Sequence, residues 1–594
     1  MLKKIFLSLI ILWNLTLCGQ TNWFVDYQHG ANSNDGSTIS TALKTVDYLT
    51  SHNLIHPQDT VFIIGQYNNQ SYNPNFVYGG DSDRNNPHIW HQENTIKLNN
   101  LHGDINQYIT FKPLNNTTVL KGDGANIFRI TNCSYIRIEG FEIYGEVEHI
   151  PLSTAEGLQT DGLQFLYLDP NTVDEKHPLL SEVLHRVEVG TSVEEIKNTT
   201  YPILGNVTRP SYTDTRGIYI SNSNHIEVLN NVIHHMPGGG IRVSDSYYVN
   251  MFNNIIHNCT RRSYSGTHAL VVTKSQVGPL NISDDAVHTI HITRNLVHHN
   301  YNEIFSWSPT KSIINPRIDE GKGISLQRNN LSDWKNSDKR ILVDNNICFW
   351  NGFSGVHSND GWHIDFINNT CYMNSYTNTV TYANQTQQGN NIGISAQQGG
   401  DIKMVNNISV IDATWGGFAL SAGGVTNLMI KNNLIFGLNG NISQDPDVTS
   451  VDNNTTIIAD PLFVNVANDN FKLKENSPAI DVADPNFAPP IDFFGHTRDA
   501  NPDIGAVEFF NSLLVRDQSY DQLKIYPNPF LNKIIINQPF MINELSIFNL
   551  LGQKVDAKFY YKTMGQNTEI FINKIPSGTY ILRIGDYTKI IQKL

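Results

Sequence analysis

The sequence predicts an all-β protein whose main part is a right-handed parallel β-helix. Pairs of Asn residues followed by apolar residues recur between Asn230 and Ile435, and the closest pairs are 23 residues apart, about one coil of a three-strand solenoid. The composition agrees, because 40% of the 594 residues are apolar, only 16% are charged and 42 are glycine, which suits short strands with polar turns. A chain of this length is also too long for one compact core, and it shows no long amphipathic helix.

The Asn pairs are expected to form turns between strands. Asn tolerates left-handed backbone angles and can bond its neighbour in the next coil through its amide, which predicts a ladder of side chains along the helix axis. The pairs are Asn230-Asn231, Asn253-Asn254, Asn345-Asn346, Asn368-Asn369, Asn406-Asn407 and Asn432-Asn433, with Arg294-Asn295 as a degenerate member. Wider spacings leave room for loops, and residues 153–210 break the repeat as an inserted loop.

A short strand precedes most of the Asn pairs, and its alternation predicts a cleft. Period two sends Ile or Val inward and the intervening residue outward. The outward column consists of Tyr219, Arg242, Ser325, His357 and Ser395. Since a purely structural solenoid gives no reason to place Tyr, Arg and His on one stripe, this face is the candidate binding cleft.

The N-terminus predicts export. Lys3 and Lys4 precede an apolar run over residues 5–17, which is short for a membrane span and typical of a secretory signal peptide over residues 1–20. Lipidation of Cys18 is the weaker alternative, because Leu17 is large where a lipoprotein signal carries a small residue. Residues 22–46 have the pattern of an N-terminal cap strand and helix, and no further transmembrane segment is expected.

Four cysteines remain after the predicted processing, two of them in equivalent places. Cys348 and Cys371 each follow an Asn pair by two residues, so they are expected to stack in neighbouring coils. Buried free thiols are the favoured interpretation, with a disulfide as the alternative. No cysteine or histidine spacing resembles a zinc site.

The charge distribution indicates the kind of partner. A net charge of −14 argues against a nucleic-acid binder, since phosphate recognition needs a basic footprint. Residues 211–340 are different, because they carry 13 Lys or Arg against 10 Asp or Glu. This basic middle of an acidic chain predicts an anionic ligand.

The C-terminal part resembles two known modules. The segments 460–463, 477–481 and 503–508, with Asp492, Gly495 and Arg498 between them, resemble the closing motif of many bacterial β-helix proteins. After a linker over 511–522, the segments 525–529, 545–555 and 575–584 resemble the type IX secretion C-terminal sorting domain of Bacteroidetes. The resemblance implies a small β-sandwich over 523–594 that serves as an export address for the type IX machinery, and secretion or display at the cell surface.

The whole chain, with its cap, coils, closing motif and sorting tail, resembles secreted β-helix enzymes that attack polysaccharides. Many of these are lyases acting on uronic acids, and the ulvan oligosaccharide dehydratase of marine Bacteroidetes is of this general kind. The resemblance implies that residues 21–510, including the closing motif over 460–508, form a catalytic domain for an anionic oligo- or polysaccharide. Fold does not fix function, so the residues must carry the chemistry.

Elimination at C4 of a uronate needs a cation on the carboxylate, a base for the C5 proton and an acid for the leaving oxygen. Arg242 is the candidate carboxylate clamp, because its planar fork matches a carboxylate. Lys322 is a candidate base or carboxylate ligand, and the remaining catalytic candidates are His357, Tyr219 and His268. The candidate substrate-binding residues are Arg216, Arg261, Arg262, Tyr264 and Lys274.

Several alternatives stay open from the sequence. The leaving group is either a sugar, which makes a lyase, or water, which makes a dehydratase. A glycoside hydrolase on the same scaffold and a surface adhesin are the competing functions. Asp284 with Asp285, or Asp319 with Glu320, are candidate Ca²⁺ ligands, whereas a column of His234, His257 and His298 is interpreted as structural. The chain is expected to be a monomer.

Overall fold

The computed structural model describes most of the chain. The described residues are 20–64, 94–150, 214–278, 287–303, 320–374, 392–437 and 455–510, short strands between 381 and 452, and most of 525–593, with gaps at 116–117, 123, 264–266 and 413–416. The predicted signal peptide, the inserted loop over 153–210, the linker, Tyr264, Asp284, Asp285 and Asp319 lie outside the described residues.

Three parallel sheets run along the β-helix, which confirms the predicted fold class. The first sheet contains Asn94–Asn99, Asn126–Thr131, Arg216–Ser221, Ile241–Ser244, Leu270–Thr273, Ile324–Gln327, the first halves of Ser354–Ile367, Ile392–Val405 and Phe418–Lys431, and Ile442–Gln444. The second sheet contains Asn22–Asp26, Thr60–Ile64, Ile109–Pro113, Ser134–Glu139, Asn224–Leu229, Tyr247–Phe252, His288–Thr293, Arg340–Asp344, the second halves of the same three long strands, and Thr449–Asp452. The third sheet contains Val119–Leu120, Glu142–Tyr144, Val232–His234, Ile255–His257, Leu296–His298, Ile347–Phe349, Thr370–Tyr372, Ile408–Val410, Leu434–Phe436 and Ile457–Ile458.

Like residues stack in register along the inside of each sheet. In the first sheet, Ile218 pairs with Ile241, and the stack continues through Leu270 and Ile324, all of them fully or almost fully buried. Burying each such side chain stabilises the fold by about 1.5–3 kcal/mol. Because the inward positions are fixed by this core, the residues between them must face outward.

The predicted Asn ladder is confirmed, and the two residues of each pair have different roles. The first residue has a left-handed backbone, as at Asn230 with φ of 57° and Asn253 with φ of 55°. The second is buried and donates from Nδ2 to the Oδ1 of the next ladder residue, for example Asn231 to Asn254 at 3.0 Å. The ladder runs on through Asn295, Asn346, Asn369, Asn407 and Asn433.

The predicted His column is also present. His234, His257 and His298 stack with ring centroids 4.9 Å apart, between Tyr144 at one end and Phe349 at the other. Burial lowers the pKa of His257 to about 4, so its imidazole is neutral at neutral pH. Cysteines 348 and 371 are register partners and buried free thiols, which confirms the favoured interpretation.

The two ends of the β-helix are closed differently. The helix Val46–Ser51, capped by the Thr45 side chain, lies at the N-terminal end. At the other end, residues 460–508 fold back along the outer side of the third sheet, where Phe463 and Phe471 pack with Phe349. The first residues of the late Asn pairs hold this segment, as when Asn368 Nδ2 donates to the Asp503 and Gly505 carbonyl oxygens.

The remaining elements are short or belong to the tail. The other helices are Ile39–Thr41, Val147–His149, Ser332–Lys335 and Val466–Asn468, and two antiparallel pairs are Thr381–Tyr382 with Gln385–Thr386 and Phe463–Asn465 with Asn470–Leu473. The C-terminal sandwich has one sheet of Ile525–Tyr526, Lys533–Ile536, Asn567–Asn573 and Lys558–Met564, and another of Leu545–Phe548, Gly578–Ile584 and Tyr587–Lys593. Within the described part of the chain, no helix has the length and apolar character needed to span a bilayer.

Candidate active site

The outward residues of the first sheet form one aligned column, here called the central column. The pairing confirms that the five predicted members are in register, and it adds others that the sequence did not mark. In order, the central column consists of Lys97, Arg129, Tyr219, Arg242, Val271, Ser325, His357, Ser395 and Ser421. Its residue type changes in almost every coil, and the cations are at the N-terminal end.

Three arginines surround Tyr219, and with Asp214 they form the arginine–tyrosine cluster. The Arg129 guanidinium carbon lies 3.9 Å from the centroid of the Tyr219 ring, and those of Arg242 and Arg216 lie at 5.8 and 5.9 Å. Arg216 also pairs with the fully buried Asp214 carboxylate at 2.8 Å. Burial alone would raise the pKa of Tyr219, but the positive charge of Arg242, helped by Arg129 and Arg216, outweighs it and lowers the pKa.

Arg242 is the last cation of the central column and lies one coil after Tyr219. Burial, followed by the neighbouring charge of Arg216, lowers the pKa of Arg242, although a guanidinium stays protonated at any physiological pH. Among the described residues, no carboxylate lies within ion-pair distance of Arg242. A half-buried guanidinium of this kind can bind an incoming carboxylate through two parallel hydrogen bonds.

A second group, the histidine–lysine cluster, contains His268, Glu320, Lys322, Gln327 and His357. Lys322 Nζ lies 2.8 Å from a Glu320 oxygen, which is also 3.4 Å from His268 Nε2. The Lys322 backbone N–H donates to His268 Nδ1 at 3.2 Å, so Nδ1 is the acceptor and the ring proton is on Nε2. The Gln327 side-chain nitrogen lies 2.6 Å from His268 Nε2, and a ring proton on Nε2 requires the flipped orientation of this amide, with its oxygen as the acceptor.

His357 belongs to the same cluster and is also buried. Burial, and then the charges of Lys322 and His268, hold the pKa of His357 well below its usual value, so the ring is neutral. Its Nδ1 is 2.7 Å from the Ser395 hydroxyl. The side chains of His268, Lys322 and His357 are all nearly closed to solvent, whereas Tyr219 and Arg242 are only partly buried.

The five catalytic candidates therefore fall into two groups. Strands of neighbouring coils are about 4.8 Å apart, and three such steps separate Tyr219 from Ser325 and Arg242 from His357. The backbones at each pair are thus about 14 Å apart, whereas His268 precedes the strand that pairs with the strand of Arg242.

The predicted substrate-binding residues are scattered. Arg216 belongs to the arginine–tyrosine cluster, whereas Arg261 and Arg262 both pair with Glu303, and Arg262 Nε donates to the Ile150 carbonyl oxygen at 2.7 Å. Lys274 is exposed in the turn after its strand. Loop residues such as these cannot be placed by strand alternation, because their partners come from distant segments of the chain.

A column of hydroxyl and amide side chains runs beside the central column. It lies two residues further along each strand and consists of Thr131, Ser221, Ser244, Thr273, Gln327, Asn359 and Gln397. Such groups both donate and accept hydrogen bonds, as sugar hydroxyls require of a partner. The sequence contains this pattern, because a polar residue stands two positions after most residues of the central column. The sequence analysis did not single it out.

The candidate Ca²⁺ ligands are only partly described. Glu320 is engaged by Lys322, and the other three predicted acids are outside the described residues. In the described ranges, no set of three or more His, Cys, Asp or Glu side chains is arranged to hold a metal ion.

Comparisons with known proteins found distant structural likenesses. Solved structures that resemble the chain include the pectate lyase Pel9A (11% identity, TM-score 0.38, 83% of this chain and 97% of that one) and a rhamnogalacturonan lyase (11%, 0.33, 84% and 98%). A GH136 lacto-N-biosidase from Eubacterium ramulus also resembles it (12%, 0.33, 70% of this chain), and the match spans only 56% of that protein. No curated protein matches the chain in sequence.

The tail matches a sequence family. Residues 524–594 match the family described as Secretion system C-terminal sorting domain. This match confirms the predicted sorting module, and it marks the chain for secretion or cell-surface export.

Proposed function

We propose that the chain is a secreted carbohydrate-active lyase that performs β-elimination at C4 of a uronic acid in an anionic oligo- or polysaccharide. The observation that carries the proposal is the arginine–tyrosine cluster, in which three guanidinium groups surround one phenol of lowered pKa. Ulvan and other algal glycans are the first substrates to test. Residues 1–20 as a removed signal peptide and a monomeric catalytic domain over 21–510 complete the proposal.

Arg242 and Tyr219 supply the two requirements of the first step. Arg242 binds the uronate carboxylate, and neutralising that charge acidifies the proton on C5. The Tyr219 phenolate, favoured by the surrounding arginines, takes the C5 proton as the base. The electron pair of the C5–H bond becomes the C4=C5 double bond, and the C4–O bond breaks.

The departing oxygen then needs a proton. Tyr219 is a phenol after the first transfer, so the same group can return the proton to the oxygen that leaves C4. The products are an unsaturated uronate and either a shortened glycan or water. Atoms and charges balance without a cofactor or an oxidant.

The neighbouring groups position these two. Arg129 and Arg216 lie near the Tyr219 ring, with guanidinium carbons 3.9 and 5.9 Å from its centroid, and Asp214 pairs with Arg216. Ser221 and Ser244 belong to the column of hydroxyl and amide side chains and lie two residues beyond Tyr219 and Arg242, where they can bond sugar hydroxyls.

The histidine–lysine cluster has a different part in the proposal. Lys322 is bonded to Glu320 and His357 is closed to solvent, so neither is placed as the base. We assign the cluster to the end wall of the cleft.

A glycoside hydrolase is the weaker candidate. Hydrolases need two carboxyl groups about 5–9.5 Å apart, but the described carboxylates in the two clusters, Asp214 and Glu320, precede strands three coils apart, about 14 Å. Each is also held by a cation of its own coil.

One assay separates the reaction types. The purified chain is incubated with oligosaccharides of ulvan, alginate and pectin, while the ultraviolet absorbance of an unsaturated uronate and the product masses are followed. New absorbance without chain shortening identifies a dehydratase, and absorbance with shortening identifies a lyase. Shortening without absorbance contradicts the elimination proposal, and no reaction on any anionic glycan contradicts the enzyme proposal.

A further inference from the structure

Two adjacent imidazoles meet at a turn of the third sheet, away from the candidate active site. His234 ends the strand Val232–His234, and His235 follows with a left-handed backbone, φ 55°. The Nδ1 atoms of the two rings lie 2.7 Å apart. Their side chains are 15% and 17% exposed, so the pair is open to ions from solvent.

The far nitrogen of each ring faces a carboxylate. His234 Nε2 lies 3.3 Å from a Glu142 oxygen, and His235 Nε2 lies 3.1 Å from a Glu148 oxygen. A carboxylate at Nε2 favours the tautomer with the proton on that nitrogen. When both rings take this neutral tautomer, their Nδ1 lone pairs share one small space, and a proton between them or a metal ion bound by both relieves the repulsion.

A shared proton is the competing occupant. A divalent metal ion can use the same two lone pairs, because a neutral imidazole is its normal ligand. Copper titration distinguishes the two occupants.

We propose that His234 and His235 bind one divalent transition-metal ion through their Nδ1 atoms, with Glu142 and Glu148 orienting the rings. With metal–nitrogen bonds of about 2.0–2.1 Å, nitrogens 2.7 Å apart subtend about 80° at the metal. That angle is close to the right angle of a tetragonal site and far from the tetrahedral angle of zinc. The ion is therefore of the Cu(II) or Ni(II) kind, and water fills its other positions.

The neighbouring coils supply internal comparisons. In the next coil the second imidazole is replaced by Asn258, which has the same left-handed backbone, φ 55°, and bonds His257 Nδ1 through its side-chain oxygen. One coil further, His298 and His299 repeat the approach at 2.9 Å. Among the described residues, His298 has no carboxylate at ion-pair distance of its ring, so its tautomer is not fixed in the same way.

Copper titration of the mature, untagged full chain tests the proposal. Calorimetry is expected to find one tight Cu(II) site, and electron paramagnetic resonance is expected to show a tetragonal ion coupled to two imidazole nitrogens. His235→Asn should remove this site while the turn is kept, since Asn258 takes the same conformation one coil away. Glu148→Gln should weaken binding about 10–100-fold.

His299→Asn is the matched control, because it removes one imidazole from an equivalent turn, φ 54°. It should leave the tight site unchanged, and circular dichroism checks that each variant is folded. The proposal is overturned if the wild-type chain binds no Cu(II) at micromolar concentration, as a proton-sharing pair would, or if His235→Asn binds it as tightly as the wild type. It is also overturned if His299→Asn abolishes the tight site or the spectrum shows fewer than two nitrogens.

Discussion

Two columns of the β-helix follow the same coil repeat, but one consists of identical residues and the other of different residues. In the turn between the second and third sheets, the same residue returns in coil after coil, as with Asn231, Asn254 and Asn295. In the central column of the first sheet the residue changes at each step, from Tyr219 to Arg242 to Val271. The two columns have the same spacing, because both follow the rise of the coils.

The difference lies in where their hydrogen-bonding capacity is used. Each ladder Asn before Asn433 donates to the next amide and to a backbone carbonyl, so the hydrogen-bonding groups of this buried column are used within the fold. Tyr219 and the three arginines around it face each other with one carboxylate, Asp214, among the described residues. A uniform column thus stabilises the fold, whereas a varied column leaves charge available to a ligand.

The largest effect is expected from Tyr219→Phe. Removing the phenol oxygen deletes the proposed base and should lower kcat about 10²–10⁴-fold, with little change in the melting temperature. Because the arginines lower the pKa of Tyr219, wild-type kcat/KM should rise with pH with a midpoint below that of an ordinary tyrosine, and any residual activity of the variant should lack that limb. Tyr247→Phe, a tyrosine of the second sheet, is the control; equal activity in Tyr219→Phe and the wild type would remove the base from the proposal.

Arg242→Ala should have the next largest effect. Loss of the carboxylate clamp removes charge stabilisation from the transition state and should lower kcat/KM about 10²–10³-fold, with Arg242→Lys recovering only part because it lacks the planar fork. Steady-state kinetics on a uronate oligosaccharide measure both. Arg328→Ala, which removes an exposed turn arginine of the same sheet, should be neutral, and an equal loss in both variants would point to general charge rather than a specific clamp.

Asn254→Ala tests the uniform column and should lower the stability of the fold while leaving activity unchanged. It leaves Asn231 without its acceptor and removes the donor to the Val228 carbonyl and to Asn295, which should cost about 2–4 kcal/mol of unfolding free energy. Activity below the melting temperature should be retained. Asn253→Gly is the control, since glycine adopts the left-handed backbone easily; denaturant unfolding should separate the two, and equal stability would mean that the ladder amide is dispensable.

The sequence predicted the features that depend on periodicity, namely the turns, the Asn ladder and the register of the strands. Asn pairs marked the turns, and alternation around Ile218 and Ile220 placed Tyr219 outward, so the ladder and the register of five central-column residues were correct. Arg129 was missed because its coil precedes the long insertion and has no Asn pair to align it. Two ion pairs, Lys322 with Glu320 and Arg261 with Glu303, depend on the conformation of loops. A periodic sequence pattern does not predict loop conformation.

The smallest expected effect concerns the His column and pH. His257 has a folded-state pKa of about 4 against 6.5 for an exposed histidine, mainly because it is buried. Between pH 6.5 and about 4, His257 therefore binds a proton in the unfolded chain but not in the folded chain. Its contribution to the unfolding free energy is complete above pH 6.5 and decreases as the pH is lowered to about 4. The loss should be about 1–3 kcal/mol over that window.

A His257→Gln variant should flatten this slope, because glutamine does not titrate. Unfolding by denaturant at several pH values measures it, with His29→Gln, which removes an exposed histidine near the N-terminus, as the control that keeps the wild-type slope. If His257→Gln also keeps that slope, the stacked imidazoles titrate alike in the folded and unfolded chain. The His column would then resemble the Asn ladder, which repeats one residue without adding a response to pH.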